Sequence, residues 1–314
     1  MSDVHRGIPP RRSPLEQVQR RARSSQQPRR ILRVAALGVV LLATAWGVSA
    51  CASEQANTTV VHLRPQKLVI SLTFDDAYLD QYLYLRPLLR ARHMNATYYV
   101  ITSDSDRPFR CCMSFAQLRT LQSEGDDIGG HGVSHVRLTD PAVSSTDKLA
   151  DVCGSRTDLL AHGIVDPVSY AYPFGAFNTA AEAIVGSCGY LNSREGGDAS
   201  LLTTVPSFPW ADTLPPKDPY ALRTVDVDAP KAKNLADLET FVNAAAAHGG
   251  GWLPLTFHQV CDHAAADYKT CMSSWSAIDD RLMGQFLDWL AAAGHPGGAP
   301  AGTVVETVRQ AMTQ

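Results

Sequence analysis

Residues 67 to 314 are predicted to fold as one α/β domain, a distorted (β/α) barrel of seven or eight repeats. Three observations predict it. Short apolar runs alternate with amphipathic helical stretches, and that alternation calls for a parallel sheet with helices outside. The stretch is about 245 residues long, with no low-complexity linker and no visible repeat, a length that suits a single domain. The residues with chemical potential lie just after predicted strands, where barrel enzymes place their sites. An open doubly wound sheet is the alternative arrangement. No G-x-G-x-x-G follows a strand, so a dinucleotide fold has no direct support.

The elements follow in order. Lys67 to Phe74 is an apolar run ending in Asp75-Asp76 and reads as the first strand. Tyr82 to Arg92 is helical, with Leu83, Leu85, Leu88 and Leu89 on its apolar side, and Ala96 to Ile101 is the second strand. Phe115 to Glu124 is a short helix closed by Gly125, and Asp127 to Gly130 is a strand that runs into His131. Thr146 to His162 is helical, Ser169 to Pro173 is a strand, and Thr179 to Ser187 is a helix closed by Gly189. Tyr190 to Ser193 and Leu222 to Val227 are short strands. Leu235 to His248 is a helix with Leu235, Leu238, Phe241 and Val242 on one face, ended by three glycines. Trp252 to His258 is the next strand, Asp279 to Ala293 the last clear helix, and Gly302 to Met312 closes the chain.

The segment before the domain has a different character. Residues 1 to 30 hold eight Arg, no Lys and little to bury, and read as a disordered basic region. Val34 to Val48 is an apolar stretch of about fifteen residues, short for a spanning helix. Basic region, apolar core and small residues together read as an export signal over residues 1–50. Val48-Ser49-Ala50-Cys51 resembles a lipobox, in which Cys51 carries lipid after cleavage; an uncleaved anchor is the alternative. Residues 51–66 read as a tether, and the domain is expected on the outer face of the cell membrane or secreted. Nine Arg against two acids put +7 on residues 1 to 50, so the −3 of the whole chain becomes −10 for the remainder. An acidic exported domain lacks the basic face that a nucleic-acid partner needs.

Seven Cys are present; with Cys51 lipidated, Cys111, Cys112, Cys153, Cys188, Cys261 and Cys271 remain, an even number that outside the cytoplasm suggests disulfides. Cys261 and Cys271 are expected to pair and to hold the loop after His258. Adjacent cysteines seldom pair with each other, so Cys153 and Cys188 are the expected partners of Cys111 and Cys112.

Two carboxylates at a strand end and a His-x-x-x-His pair can supply a metal site of one Asp and two His, and leave one carboxylate free as a base. Adjacent strand residues point in opposite directions, so Asp75 and Asp76 do not easily serve the same ion. Thr73-Phe74-Asp75-Asp76, His131-Gly132-Val133-Ser134-His135, Tyr170-Ala171-Tyr172-Pro173-Phe174-Gly175 and Leu255-Thr256-Phe257-His258 stand in this order along the chain. This series resembles the NodB-homology polysaccharide deacetylases, carbohydrate esterase family 4, over roughly residues 67 to 310.

The resemblance implies one divalent ion, zinc in the usual case, on Asp76, His131 and His135. It implies Asp75 as catalytic base, His258 as the acid that protonates the leaving amine, and the Phe174 N–H, beside Pro173, as an oxyanion donor. An Arg that usually orients the catalytic Asp is replaced by Ala171; Arg194 is the first candidate for its task and Arg223 the second. Asp226, Asp228 and Trp252 are open candidates to support the acid His, Trp275 and Tyr268 to line a sugar groove, and His263 is a possible confusable of His258. The implied activity is removal of acetyl from N-acetylglucosamine units of a cell-wall or extracellular polysaccharide. An amidase acting on a small amide or imide is the alternative within enzymes, and a catalytically silent carbohydrate-binding module is the alternative outside them.

Overall fold

The computed structural model describes residues 67–107, 111–196, 210–227 and 232–314. The export signal, Cys51, the tether and Asp228 lie outside the described residues.

β1 (Leu68–Phe74) is the centre of the molecule, and every one of its residues is buried. A strand covered on both faces must be nearly all apolar, and LVISLTF is. Its hydroxyls are satisfied across the sheet: Ser71 donates to Glu306 O at 2.8 Å and Thr73 to Leu255 O at 2.9 Å. The chain after β1 makes a π-turn over Gln81–Leu85 and then α1 (Arg86–Arg90). The expected single helix is broken because Pro87 has no N–H to close an α-turn. β2 (Thr97–Val100), α2 (Phe115–Ser123), β3 (Asp127–Gly130), α3 (Ser145–Ala161), β4 (Ser169–Ala171), α4 (Thr179–Ser187) and β5 (Asn192–Arg194) follow. The second half holds β6 (Val225–Asp226), α5 (Leu235–Ala247), β7 (Gly251–Phe257), β8 (Gln259–Cys261), the single turn α6 (Tyr268–Cys271), β9 (Ala277–Asp279), α7 (Asp280–Ala291), β10 (Thr303–Val305) and α8 (Val308–Met312). Side-chain caps start the longer helices: Ser114, Ser144, Asn178, Asn234 and Asp279 each accept from a backbone N–H of the first turn.

The strands run in the order β5-β4-β3-β2-β1-β7-β6, all pairs parallel, with β10 against the start of β1. A parallel bridge between Arg194 and Leu222, just ahead of β6, joins the two outer strands. The ring is therefore a distorted barrel and not an open doubly wound sheet. Its apolar core runs from Ile70, Leu72 and Phe74 through Tyr98, Leu255 and Phe257 to Phe286 and Leu287 on α7. Burying each such side chain contributes about 1.5–3 kcal/mol.

Cys261 pairs with Cys271 as expected. The other pairing is corrected. α3 carries Cys153 to within 4.8 Å, Cα to Cα, of Cys188 at the end of α4, and the two are bonded to each other. Cys111 and Cys112, on the loop before α2, have no other cysteine to meet among the described residues and form a vicinal disulfide.

Candidate active site

The strand ends of β1, β3, β5 and β7 meet around a cavity of about 310 Å³. Asp75, Asp76, His131, His135, Phe174, Arg194 and His258 all line it. Each sits there for a local reason. Asp75 ends β1 and its N–H donates to Phe257 O at 2.9 Å, which ties it to β7. Asp76 and Ala77 then adopt left-handed backbone, with φ of 65° and 53°, and this turn swings the second carboxylate to the same side as the first. The alternation that would have separated the two side chains ends at Phe74.

Asp76 Oδ1 lies 3.6 Å from His131 Nε2 and 3.9 Å from His135 Nε2, and the two imidazole nitrogens are 3.1 Å apart. Asp76 Oδ1 is buried and has no hydrogen-bond partner. His131 Nδ1 is 2.8 Å from Ala171 O, which makes Nδ1 the protonated nitrogen and turns the Nε2 lone pair toward the cluster. Burial first, and the His131 charge second, push the His135 imidazole down to about 4, so it is neutral at pH 7. Two imidazole nitrogens and a bare carboxylate oxygen facing one another are a donor set for one divalent cation.

The other carboxylate is held differently. Arg194 Nη2 donates to Asp75 Oδ1, and its guanidinium lies 4.7 Å from the Tyr99 ring centroid. Asp75 Oδ2 is left facing the cavity, 3.8 Å from His131 Nε2 and 3.9 Å from His258 Nε2. Burial raises the Asp75 carboxyl, but the Arg194 cation, with His131 and His258, outweighs it and holds the group below the usual carboxylate range. Arg194 is the register partner of Ala171 on the adjacent strand. The cation that pairs with Asp75 thus comes from the strand beside Ala171. Arg223, the second candidate, does not line the cavity; its charge acts on Glu195 and Asp212, and its backbone N–H donates to Asp212 Oδ2 at 2.7 Å.

Pro173 opens a short 3-10 turn in which Phe174 has φ of 60°. Gly175 follows with φ of 62°, and a Cβ there would meet Gly196 N at 2.3 Å, so glycine is required. The Phe174 ring is 57% exposed and lies 4.4 Å from the His135 ring. Trp275, 67% exposed, has its ring centroid 5.0 Å from that of His258. Two exposed aromatics thus line the cavity, one beside His135 and one beside His258.

Several expectations move. Trp252 is fully buried near the start of β7 and donates to Ser71 Oγ at 2.9 Å, away from His258. Asp226 does line the cavity. Tyr268 donates to Asp279 Oδ2 at 2.5 Å in a different hollow and does not line this one. His263 is bonded to Asp280 at 2.9 Å, outside the cavity. Gln81 was not anticipated. Its Nε2 donates to both Asp75 O and His258 O at 2.8 Å, clamping the ends of β1 and β7 together. A lone amide among Leu83 and Leu85 was the only trace of it in the sequence.

Residues 62–193 match the family model described as polysaccharide deacetylase. No curated protein matches. Among solved structures, a Streptococcus pyogenes deacetylase in complex with acetate is similar over 40% of this chain at 24% identity and a TM-score of 0.38. The chain spans 54% of the length of that protein. The family 4 carbohydrate esterase domain of a multidomain xylanase, from the hindgut metagenome of Trinervitermes trinervoides, is similar over 79% of this chain and 90% of its own, at 12% identity and a TM-score of 0.49. A family 4 carbohydrate esterase from Streptomyces lividans in complex with acetate covers 61% of this chain and 79% of its own, at 15% identity and a TM-score of 0.41. The matched residues 62–193 hold both the strand-end Asp pair and the His pair, so the chain is similar to the polysaccharide deacetylases over the part that carries the candidate site.

Proposed function

We propose that the protein is an exported, metal-dependent deacetylase that hydrolyses the N-acetyl group of N-acetylglucosamine units in a cell-wall or extracellular polysaccharide. The observation that carries this reading is the joint placement of the Asp76–His131–His135 donor set and the Asp75–His258 pair between two exposed aromatics. Aromatic faces suit pyranose rings, and a site lined by two exposed aromatics suits a sugar chain better than a small amide.

Asp76, His131 and His135 would hold the divalent ion, zinc in the usual case. When bound, such an ion supplies Lewis acidity toward the amide carbonyl and lowers the pKa of a water to about 7. Asp75, ionised and fixed through Oδ1 by Arg194, takes a proton at Oδ2. The Phe174 N–H donates to the developing oxyanion, a contribution of roughly 3 kcal/mol for one well-placed donor. His258 delivers a proton to the leaving amine from Nε2. Phe174 and Trp275 exclude water and orient the sugars on either side.

Acetate release from a panel of N-acetylated oligosaccharides and polymers, with and without chelator, tests the reading. Turnover of an oligosaccharide that stops on chelation and returns with zinc is expected. Turnover of small amides alone would replace it with the amidase reading, and binding without acetate release would replace it with the silent module.

Export and the lipid on Cys51 belong to the same proposal. Three disulfides fit an oxidising compartment, and no helix among the described residues is long and apolar enough to cross a membrane. Mass spectrometry is expected to find a chain that starts at a diacylated Cys51; residues 1 to 50 still attached to an unmodified Cys51 would point to an uncleaved anchor.

A further inference from the structure

The two metal-binding histidines are not on a helix. They bracket a loop whose backbone is unusual at both ends: Gly132 has φ of 84° and His135 φ of 58°. A left-handed histidine is uncommon and persists only where its surroundings over-determine it. On one side the loop is held by β2's continuation, where Thr102 N–H donates to Gly132 O at 3.1 Å and Ser103 N–H to Val133 O at 3.0 Å. On the other side it is held by one residue of α3. Asp151 Oδ1 accepts from Ser134 N–H at 2.7 Å, and Asp151 O accepts from Val133 N–H at 3.2 Å.

Asp151 is 6% exposed. Its Oδ2 is buried without a hydrogen bond, in the space beside Gly132. A Cβ at position 132 would meet Oδ2 at 2.3 Å. A buried carboxylate oxygen left unsatisfied is costly and calls for an explanation other than stability. The glycine and the carboxylate are complementary, since the loop can close on Asp151 only because residue 132 has no side chain.

We propose that Asp151 is a positioning residue for the metal site. Its carboxylate clamps residues 132–135 from below, with Gly132 as its obligatory partner, and so aims both imidazole Nε2 atoms at one point. It touches no ligand atom and acts through the backbone of Ser134. The inference rests on the reading of Asp76, His131 and His135 as metal ligands.

The test is zinc affinity by competition with a chromophoric chelator, read beside the thermal melt of the metal-free protein. Asp151→Ala is expected to weaken zinc binding about 10- to 100-fold, the usual effect of losing a partner that orients ligands. Asp151→Asn keeps an acceptor for Ser134 and is expected to recover most of that affinity. An Asp151→Ala protein that melts cooperatively and binds zinc as tightly as the parent would overturn the proposal. Should Asp151→Ala fail to fold, amide hydrogen exchange of the parent protein decides. Protection of the Ser134 amide supports the clamp, and exchange at the unprotected rate sinks it. A parent protein that binds no zinc at all would instead defeat the metal reading, which is a separate failure.

Discussion

The two ends of the barrel are built on opposite principles. At the strand starts, Val69, Trp252, Val308 and Ala311 form an apolar plug, and the one polar group among them, the Trp252 N–H, is satisfied by Ser71. At the strand ends, charges and strained backbone accumulate. Asp75, His131 and Arg194 are buried there, and among the described residues four of the seven non-glycine residues with positive φ are Asp76, Ala77, His135 and Phe174. Both ends are fed by the same strands, so the difference does not come from the sheet. The plug is held by apolar contact, whereas the reactive groups sit where the surrounding structure forces them together at a cost. Substitutions at the plug should therefore change melting and leave turnover intact, whereas those at the strand ends should change turnover whether or not they change melting.

The largest effect is expected from His131→Ala combined with His135→Ala. Metal content should fall to background and acetate release with it; full metal occupancy in that variant would remove the proposed ligand set. Asp75→Asn comes next. It should lower turnover about 10²- to 10⁴-fold, the usual worth of a general base, while metal stays bound, whereas Asp76→Asn should lose metal. Equal metal loss in both would show that the two carboxylates do not divide the work in this way.

Arg194→Ala sharpens the comparison because it acts on a buried pair at the reactive end. Leaving Asp75 buried without its cation should cost about 3–5 kcal/mol of stability. The sign of the pH effect follows from the cation. With Arg194 the Asp75 carboxyl lies below the ordinary range, so the stability it contributes is present above the ordinary carboxylate pKa and is lost as pH falls through the depressed one. Without Arg194 burial prevails, and the acidic limb of the kcat/KM profile should move to higher pH. An unmoved limb would mean that Asp75 is not the group it reports.

Smaller effects are expected at the margins. Trp275→Ala should raise KM for oligosaccharides about 2- to 10-fold with little change on a minimal substrate, as fits the loss of one stacking face. Trp252→Phe, at the opposite end, should lower stability by about 1 kcal/mol through the lost hydrogen bond and leave kcat/KM unchanged. A kinetic defect in Trp252→Phe would break the division between the two ends.

The sequence by itself determined the alternation of strands and helices, the strand-end position of Asp75, Asp76, His131 and His258, and the Cys261–Cys271 bridge. These are local signals: apolar period, turn glycines, short spacing. It also offered Arg194 and Arg223 as candidates to pair with Asp75. Only the tertiary structure chose between them, because the choice depends on the register that sets Arg194 beside Ala171 across two strands. Packing of α3 against α4 likewise decided that Cys153 meets Cys188, so that Cys111 and Cys112 bond to each other. Trp252, a candidate through the resemblance, and Tyr268, a candidate through its aromatic ring, both leave the site: β7 buries the first near its start and Asp279 draws the second away. Gln81 and Asp151 were invisible beforehand for one physical reason. Their work is a hydrogen bond to the backbone of a distant segment, and such a bond leaves no requirement on the identity of the residues it holds.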